Sequence, residues 1–182
     1  LVVKNDISQI PISQFATTVI FYRHYNRKFP SRSFIQKFSL SLGSMMVLLG
    51  SEWCHNIAHV FMSSRIAKPV DAIRVNFGMP LLVFYDPEDP NVTPSEHMLR
   101  ASGGPFFNMI TLVPLRIISR HTRNGTPANI LTNLAFDTNL FLSIASLAPV
   151  PFLDGGPLLK WSLVNRGRSA SEAERVVRRS NG

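Results

Sequence analysis

The run from Leu40 to Met62 constrains this chain more than any other stretch. It is mostly apolar, yet it holds Glu52, His55, Asn56 and His59 in its second half. As a helix it would reach roughly 35 Å at 1.5 Å per residue, against a bilayer hydrocarbon core of about 30 Å. The apolar share of the whole chain is an ordinary 45%. A soluble domain would spread those residues at helical or strand period, whereas here they gather in three blocks divided by polar and basic segments. Polar side chains at bilayer depth are costly and mark function. His55 and His59 stand four residues apart, so they stack a turn apart on one helix face. That is the spacing at which two imidazoles hold one transition metal.

Charge follows the apolar blocks. The net charge is +8, with Arg23, Arg27, Lys28, Arg32 and Lys37 before the first block, Arg116, Arg120 and Arg123 after the second, and Arg166 to Arg179 after the third. This placement fits flanks that meet membrane lipids. No aromatic-interleaved basic patch or nucleic-acid module is present, so no nucleic acid is expected as a partner. Basic residues flank both sides in similar number, which leaves the orientation unassigned. The lone cysteine, Cys54, excludes an internal disulfide. No signal peptide is recognisable, and the start at Leu1 is expected to reflect a trimmed or partial chain.

Turn and cap signals divide the chain into an interfacial or partly membrane segment with a basic stretch (1–37), a membrane core (38–163) and a basic, solvent-facing C-terminal helix (164–182). The first span is expected at about Phe38–Met62, with Pro69 ending that region. Val70 to Phe77 alternates, Gly78 and Pro80 mark a turn, and Leu81 to Tyr85 is a second β-rich run, so a small surface hairpin is expected. Asp86 to Asn91 reads as an acidic loop. Thr93-Pro94-Ser95-Glu96 carries the signals of a helix start. That helix is expected to break at Gly103-Gly104-Pro105 and to resume from Phe106 to Ile118. Thr126-Pro127 starts another helix, on which Asn129, Asn133 and Asp137 form a polar stripe facing solvent or the bundle. Pro149 and Pro151 interrupt the last apolar block, and Ser169 with Glu172 opens the final helix. Short connections make the spans antiparallel. The fold expected is an all-α membrane bundle with three core transmembrane helices and a small β hairpin, an integral, multi-pass membrane protein.

His55 and His59 lie late in the first span and Asp154 late in the third. These spans run the same way, so all three residues reach similar depth. Two histidines and a carboxylate with a fourth position open make a catalytic-type zinc site. The zinc-protease pattern H-E-x-x-H has a general base directly after its first histidine; this chain has Asn56 there.

In three motifs the chain resembles the site-2 protease family of intramembrane zinc metalloproteases. They are His55-Asn56-Ile57-Ala58-His59, Gly104-Pro105-Phe106-Phe107-Asn108, and the segment Ser146 to Gly155 with its Pro149-Val150-Pro151 and Leu153-Asp154-Gly155. They occur in the family's order, and the similarity covers about Leu40 to Leu163. The resemblance implies His55, His59 and Asp154 as ligands of one zinc ion. It implies Asn108 as a residue that positions substrate or polarises its carbonyl, and a transmembrane or peptide substrate or partner.

Two departures bear on activity. Asn56 stands where the family has its glutamate, and Ser146 stands where it often has asparagine. Losing a positioned general base typically costs about 10²–10⁴ in rate. The function expected is therefore a zinc-binding homologue with weak or no peptidase activity, a pseudoprotease that holds its partner. Asn56 is also readable as a laboratory substitution. Glu52 falls within about 60° of His55 and His59 on the helix face. It is expected to support a ligand histidine from behind, or to serve as a displaced base in an active intramembrane metalloprotease. Other readings stay open: packed histidines without metal in a structural membrane subunit, Asp154 as a helix cap, and Gly103 to Asn108 as helix packing. His24, His97 and His121 are expected at the surface, and Cys54 is expected to be inert.

Overall fold

The computed structural model describes residues 2–5, 11–66, 72–83, 89 and 91–180. Its elements are β1 (Val2–Asn5), α1 (Ile12–Lys28), α2 (Phe34–Ser64), β2 (Ala72–Asn76), β3 (Met79–Val83), α3 (Pro94–His121), α4 (Pro127–Ala145), α5 (Gly155–Asn165) and α6 (Ala170–Arg179). Pro69, the outer ends of the two expected strands and most of the acidic loop lie outside the described residues.

The long helix α2 begins four residues before the expected span. Ser33 caps it, accepting from the Gln36 amide while the Gln36 side chain accepts from the Ser33 amide. That reciprocal pair satisfies two donors a helix start otherwise leaves bare. The same device starts α3 at Thr93–Glu96 and α6 at Ser169–Glu172, and Thr126 caps α4 through the Asn129 amide.

The β2–β3 hairpin is antiparallel, with Ile73 opposite Leu82, and turns through Phe77 and Gly78 at positive φ. The expected hairpin is therefore present, but β1 adds to β2 in parallel, pairing Val3 with Ile73. Residues 2–5 are a sheet strand, and α1 carries the first part of the expected basic stretch, Arg23, Arg27 and Lys28, while Lys37 falls in α2. Helix α3 runs unbroken through Pro105 and Pro114, so the expected interruption does not occur. Each proline removes one backbone donor, a loss that a helix packed among others tolerates.

Helix α2 packs on α1, α3 and α4; α3 also holds α5, and α6 lies on α5. The contacts between helices are largely polar. Tyr25 bonds Ser44 at 2.8 Å, Thr111 donates to Asn139 at 3.2 Å, and Asn139 donates to Ser51 at 3.1 Å. Asn129 donates to the Ser119 carbonyl, and Ser119 donates to Asn133, so the first part of the α4 polar stripe faces the bundle. Asp137 is exposed.

Burial is inverted relative to a water-soluble domain. Among the described residues, polar and charged residues in the interior outnumber hydrophobic ones. Phe106, Met109, Ile110, Val113 and Ile117 on α3, and Phe141 and Ile144 on α4, turn outward. One described helix, Phe34–Ser64, is long and apolar enough by itself to cross a membrane.

Candidate metal centre

His55 and His59 project from the buried side of α2 toward α3, at 8% and 4% exposure. Glycine makes room for them. A methyl group at Gly103 would lie 2.7 Å from the Ala58 carbonyl oxygen and 2.8 Å from His59 Cα, and one at Gly104 would overlap both imidazole rings. The two glycines therefore let α3 reach the backbone and rings of α2.

Asp154 arrives by a different route from the one expected. It does not lie late in a span, because α4 ends at Ala145 and a tight segment of turns leads to α5. Pro149 and Pro151 cannot continue the helix. The Gly155 amide donates back to the Ser146 carbonyl at 2.8 Å, and the Gly156 amide to the Leu153 carbonyl at 3.0 Å. This folded connection puts Asp154 at the start of α5, but its side chain caps nothing there. The carboxylate instead meets both histidines: Oδ2 lies 3.2 Å from His55 Nε2 and Oδ1 lies 3.1 Å from His59 Nε2. The two Nε2 atoms are 3.2 Å apart.

The donor set fits a divalent metal. Ligand atoms around a tetrahedral zinc, each about 2.0–2.2 Å from the ion, lie about 3.3–3.6 Å from one another. The 3.2 Å between the two Nε2 atoms is only slightly tighter, and each nitrogen faces a different oxygen of the one carboxylate. The tautomer of His59 agrees. Its Nδ1 lies 2.8 Å from the Arg100 carbonyl oxygen, which can only accept, so Nδ1 carries the proton. The Gly104 amide, 3.4 Å from the same nitrogen, is the weaker contact. Nε2 then faces a carboxylate oxygen of Asp154 at 3.1 Å. That approach needs positive charge between the two atoms, supplied by a proton on Nε2 or by a metal ion. A carbonyl behind a histidine is also how metal-ligating imidazoles are commonly oriented. On His55 the Nδ1 atom is buried and has no partner among the described residues.

The cluster opens on a cavity of about 590 Å³, whose walls include Phe141, Leu142, Phe152 and Leu153, with Pro80 and Leu81 of β3 on one side. Glu52 lines it, half-buried, and its carboxylate makes no hydrogen bond to either histidine; the support on His59 comes from Arg100 instead. Asn56 also lines it. Its Nδ2 donates to the Glu52 carbonyl at 2.9 Å and more weakly to the Pro80 carbonyl at 3.5 Å. Two facing carbonyls assign the nitrogen to that side of the amide. Ser146 lines the cavity, and its buried hydroxyl has no partner among the described residues. Asn108 is fully buried, both polar atoms of its amide have no partner among the described residues, and it is not part of the cavity wall.

Sequence reasoning missed three residues of this wall: Arg100, His97 and Trp161. Arg100 is buried on α3, one turn before Gly104, and so shares its helix face. His97, expected at the surface, is 4% exposed; its ring stacks on Trp161 of α5 at 3.9 Å and 6°. Its burial has a long-range cause, since Trp161 is brought over His97 only when α5 docks on α3. Cys54 is exposed on the far side of α2.

No protein-family model matches the chain, and no curated protein matches it. Among solved structures the fold is similar to that of a site-2 protease from Methanocaldococcus jannaschii. The TM-score is 0.57 at 15% identity, over 96% of this chain and 72% of the other. At that identity the likeness is one of fold, and the fold is site-2-protease-like.

Proposed function

We propose that this chain is a multi-pass membrane protein of site-2-protease type that binds one zinc ion through His55, His59 and Asp154. In this reading it holds a transmembrane or peptide partner in the adjoining cavity without efficient cleavage. The observation that carries the proposal is that two imidazole nitrogens 3.2 Å apart each meet an oxygen of one carboxylate, at 3.2 and 3.1 Å, beside a largely apolar cavity. The outward-facing apolar side chains of α2, α3 and α4 support embedding in lipid, where polar contacts between helices replace a hydrophobic core.

Zinc bound there would supply a Lewis acid for a carbonyl or a water. His59, fixed by the Arg100 carbonyl, and Asp154, fixed by the Gly155 and Gly156 turns, hold its ligand positions. The deficiency is at Asn56. Its amide nitrogen is occupied with two carbonyls, and an amide oxygen does not accept a proton at neutral pH. Ser146 has a shorter reach than the asparagine often found at that place in the family. Peptide cleavage therefore lacks a proton acceptor next to the first ligand, while binding needs none.

The test is a transmembrane reporter reconstituted with the wild-type chain. The reporter is expected to be retained and crosslinked within the cavity but left intact over times in which an active protease completes cleavage. Cleavage by the wild type that disappears in Glu52→Gln would replace this reading with an active metalloprotease. A chain that folds but takes up no zinc would replace it with a structural subunit.

A further inference from the structure

Helix α6 has two faces of different character. Ala173 and Val177 are buried against α5, and Glu174 reaches Lys160 of α5 at 3.1 Å. On the other side Arg168, Arg175 and Arg179 border a shallow recess of about 350 Å³ together with Glu172 and Val176. Positions 172, 175, 176 and 179 recur at helical period, so they form one stripe.

The acidic residues in this region are already engaged. Glu172 accepts from the Ser169 amide in the capping box, and Glu174 accepts from Arg178 and pairs with Lys160. Five arginines, Arg166, Arg168, Arg175, Arg178 and Arg179, face these two glutamates in the sequence. Glu172 borders the recess and offsets part of the charge of Arg168 and Arg175, so the three arginines leave a net positive surplus there. Arginine presents a planar fork of donors suited to phosphate oxygens.

The position of α6 identifies the source of phosphate. Only a short turn through Gly167 separates it from α5, and Ser180 at its end donates to the Pro149 carbonyl at 2.9 Å. In the same run of turns Phe152 is 84% exposed. Phe152 thus stands exposed in the connection to which the arginine-bearing helix is tied, and an exposed aromatic residue together with basic residues suits a surface that meets lipid at the headgroup level.

We propose that the outer face of α6 docks anionic phospholipid headgroups, with a lipid phosphate held between Arg168, Arg175 and Arg179. The proposal rests on the membrane reading above but not on the metal. Zinc content, measured on the same samples, keeps a failure here distinct from a failure of the metal site.

The experiment uses the full chain in zwitterionic detergent, titrated with short-chain phosphatidylglycerol, short-chain phosphatidylcholine or inorganic phosphate, and read as melting temperature and bound lipid. Phosphatidylglycerol is expected to raise the melting temperature and phosphatidylcholine to leave it unchanged. The effect is expected to weaken as salt rises. Each arginine contributes about fivefold in affinity, so R168Q/R175Q/R179Q is expected to bind about a hundredfold more weakly. R168K/R175K/R179K, which keeps the charge, is expected to retain the response and shows that the surface tolerates triple substitution. An equal response to phosphatidylcholine, or an undiminished one in the glutamine variant, would overturn the proposal. A full response to inorganic phosphate alone would also overturn the lipid assignment.

Discussion

Gly104 lies against the ring of His59 in a gap that admits a hydrogen atom and no methyl group. The contact joins α3 to a ligand of the candidate metal centre, and its neighbour Gly103 does the same through the backbone of Ala58 and His59. Gly104→Ala therefore must displace either a helix or an imidazole. The expected outcome is at least a tenfold loss of zinc affinity, with a stability cost of about 1–3 kcal/mol from overpacking. Metal titration together with thermal unfolding checks it. The exposed Gly125 lies at φ +78°, and a methyl group there would meet nothing within 4 Å. Gly125→Ala thus strains only its own turn and is expected to leave zinc binding unchanged.

The chain Thr111–Asn139–Ser51 ties α3, α4 and α2 together through one buried amide. Asn139→Leu removes both interhelical bonds; Thr111 keeps its 2.7 Å bond to the Asn108 carbonyl, and Ser51 is left to find another partner. The expected loss is about 1–2 kcal/mol, the scale of hydrogen bonds between helices in lipid. Unfolding in mixed micelles measures it, and zinc stoichiometry is expected to stay that of the wild type.

Acid should loosen α6 from α5. The side-chain bond from Lys160, with a smaller contribution from Arg178, holds the Glu174 carboxyl below its ordinary value of 4.5. A depressed carboxylate stabilises the folded state above its unfolded pKa and loses that contribution as pH falls through the folded pKa. The α5–α6 contact is therefore at full strength above about pH 4.5 and weakens below it. Hydrogen exchange at Ala173 and Val177 is expected to rise in that lower window. Glu174→Gln is expected to show the fast exchange already at neutral pH and to lose the acid dependence.

Much of this arrangement is legible in the chain because its causes are local. The four-residue interval of His55 and His59 dictates a shared helix face, and Thr93 with Glu96, Thr126, and Ser169 with Glu172 mark helix starts where they occur. Ser33 and Gln36 carry the same signal at the head of α2, obscured by the basic residues around them. The rest depends on distant segments. β1 needs β2 beside it to be a strand, and His97 is buried only because Trp161 of α5 covers it. Asp154 is recognisable as a partner of the histidines, but not as a residue carried by turns. Those turns depend on how Gly155 and Gly156 pack on the backbone of residues 146–153. Pro105 illustrates the opposite error, a local rule overridden by the neighbours of α3.

A cation shared between His59 and Asp154 is tested most directly by metal content. The full chain is purified without added zinc and analysed by elemental mass spectrometry beside His59→Ala and Asp154→Ala, with helix content measured on each sample. About one zinc per wild-type chain, falling to near zero in both variants while the helices persist, is the result expected. A folded wild-type chain that contains no zinc and takes up none when it is supplied would contradict it, as would variants that keep their metal.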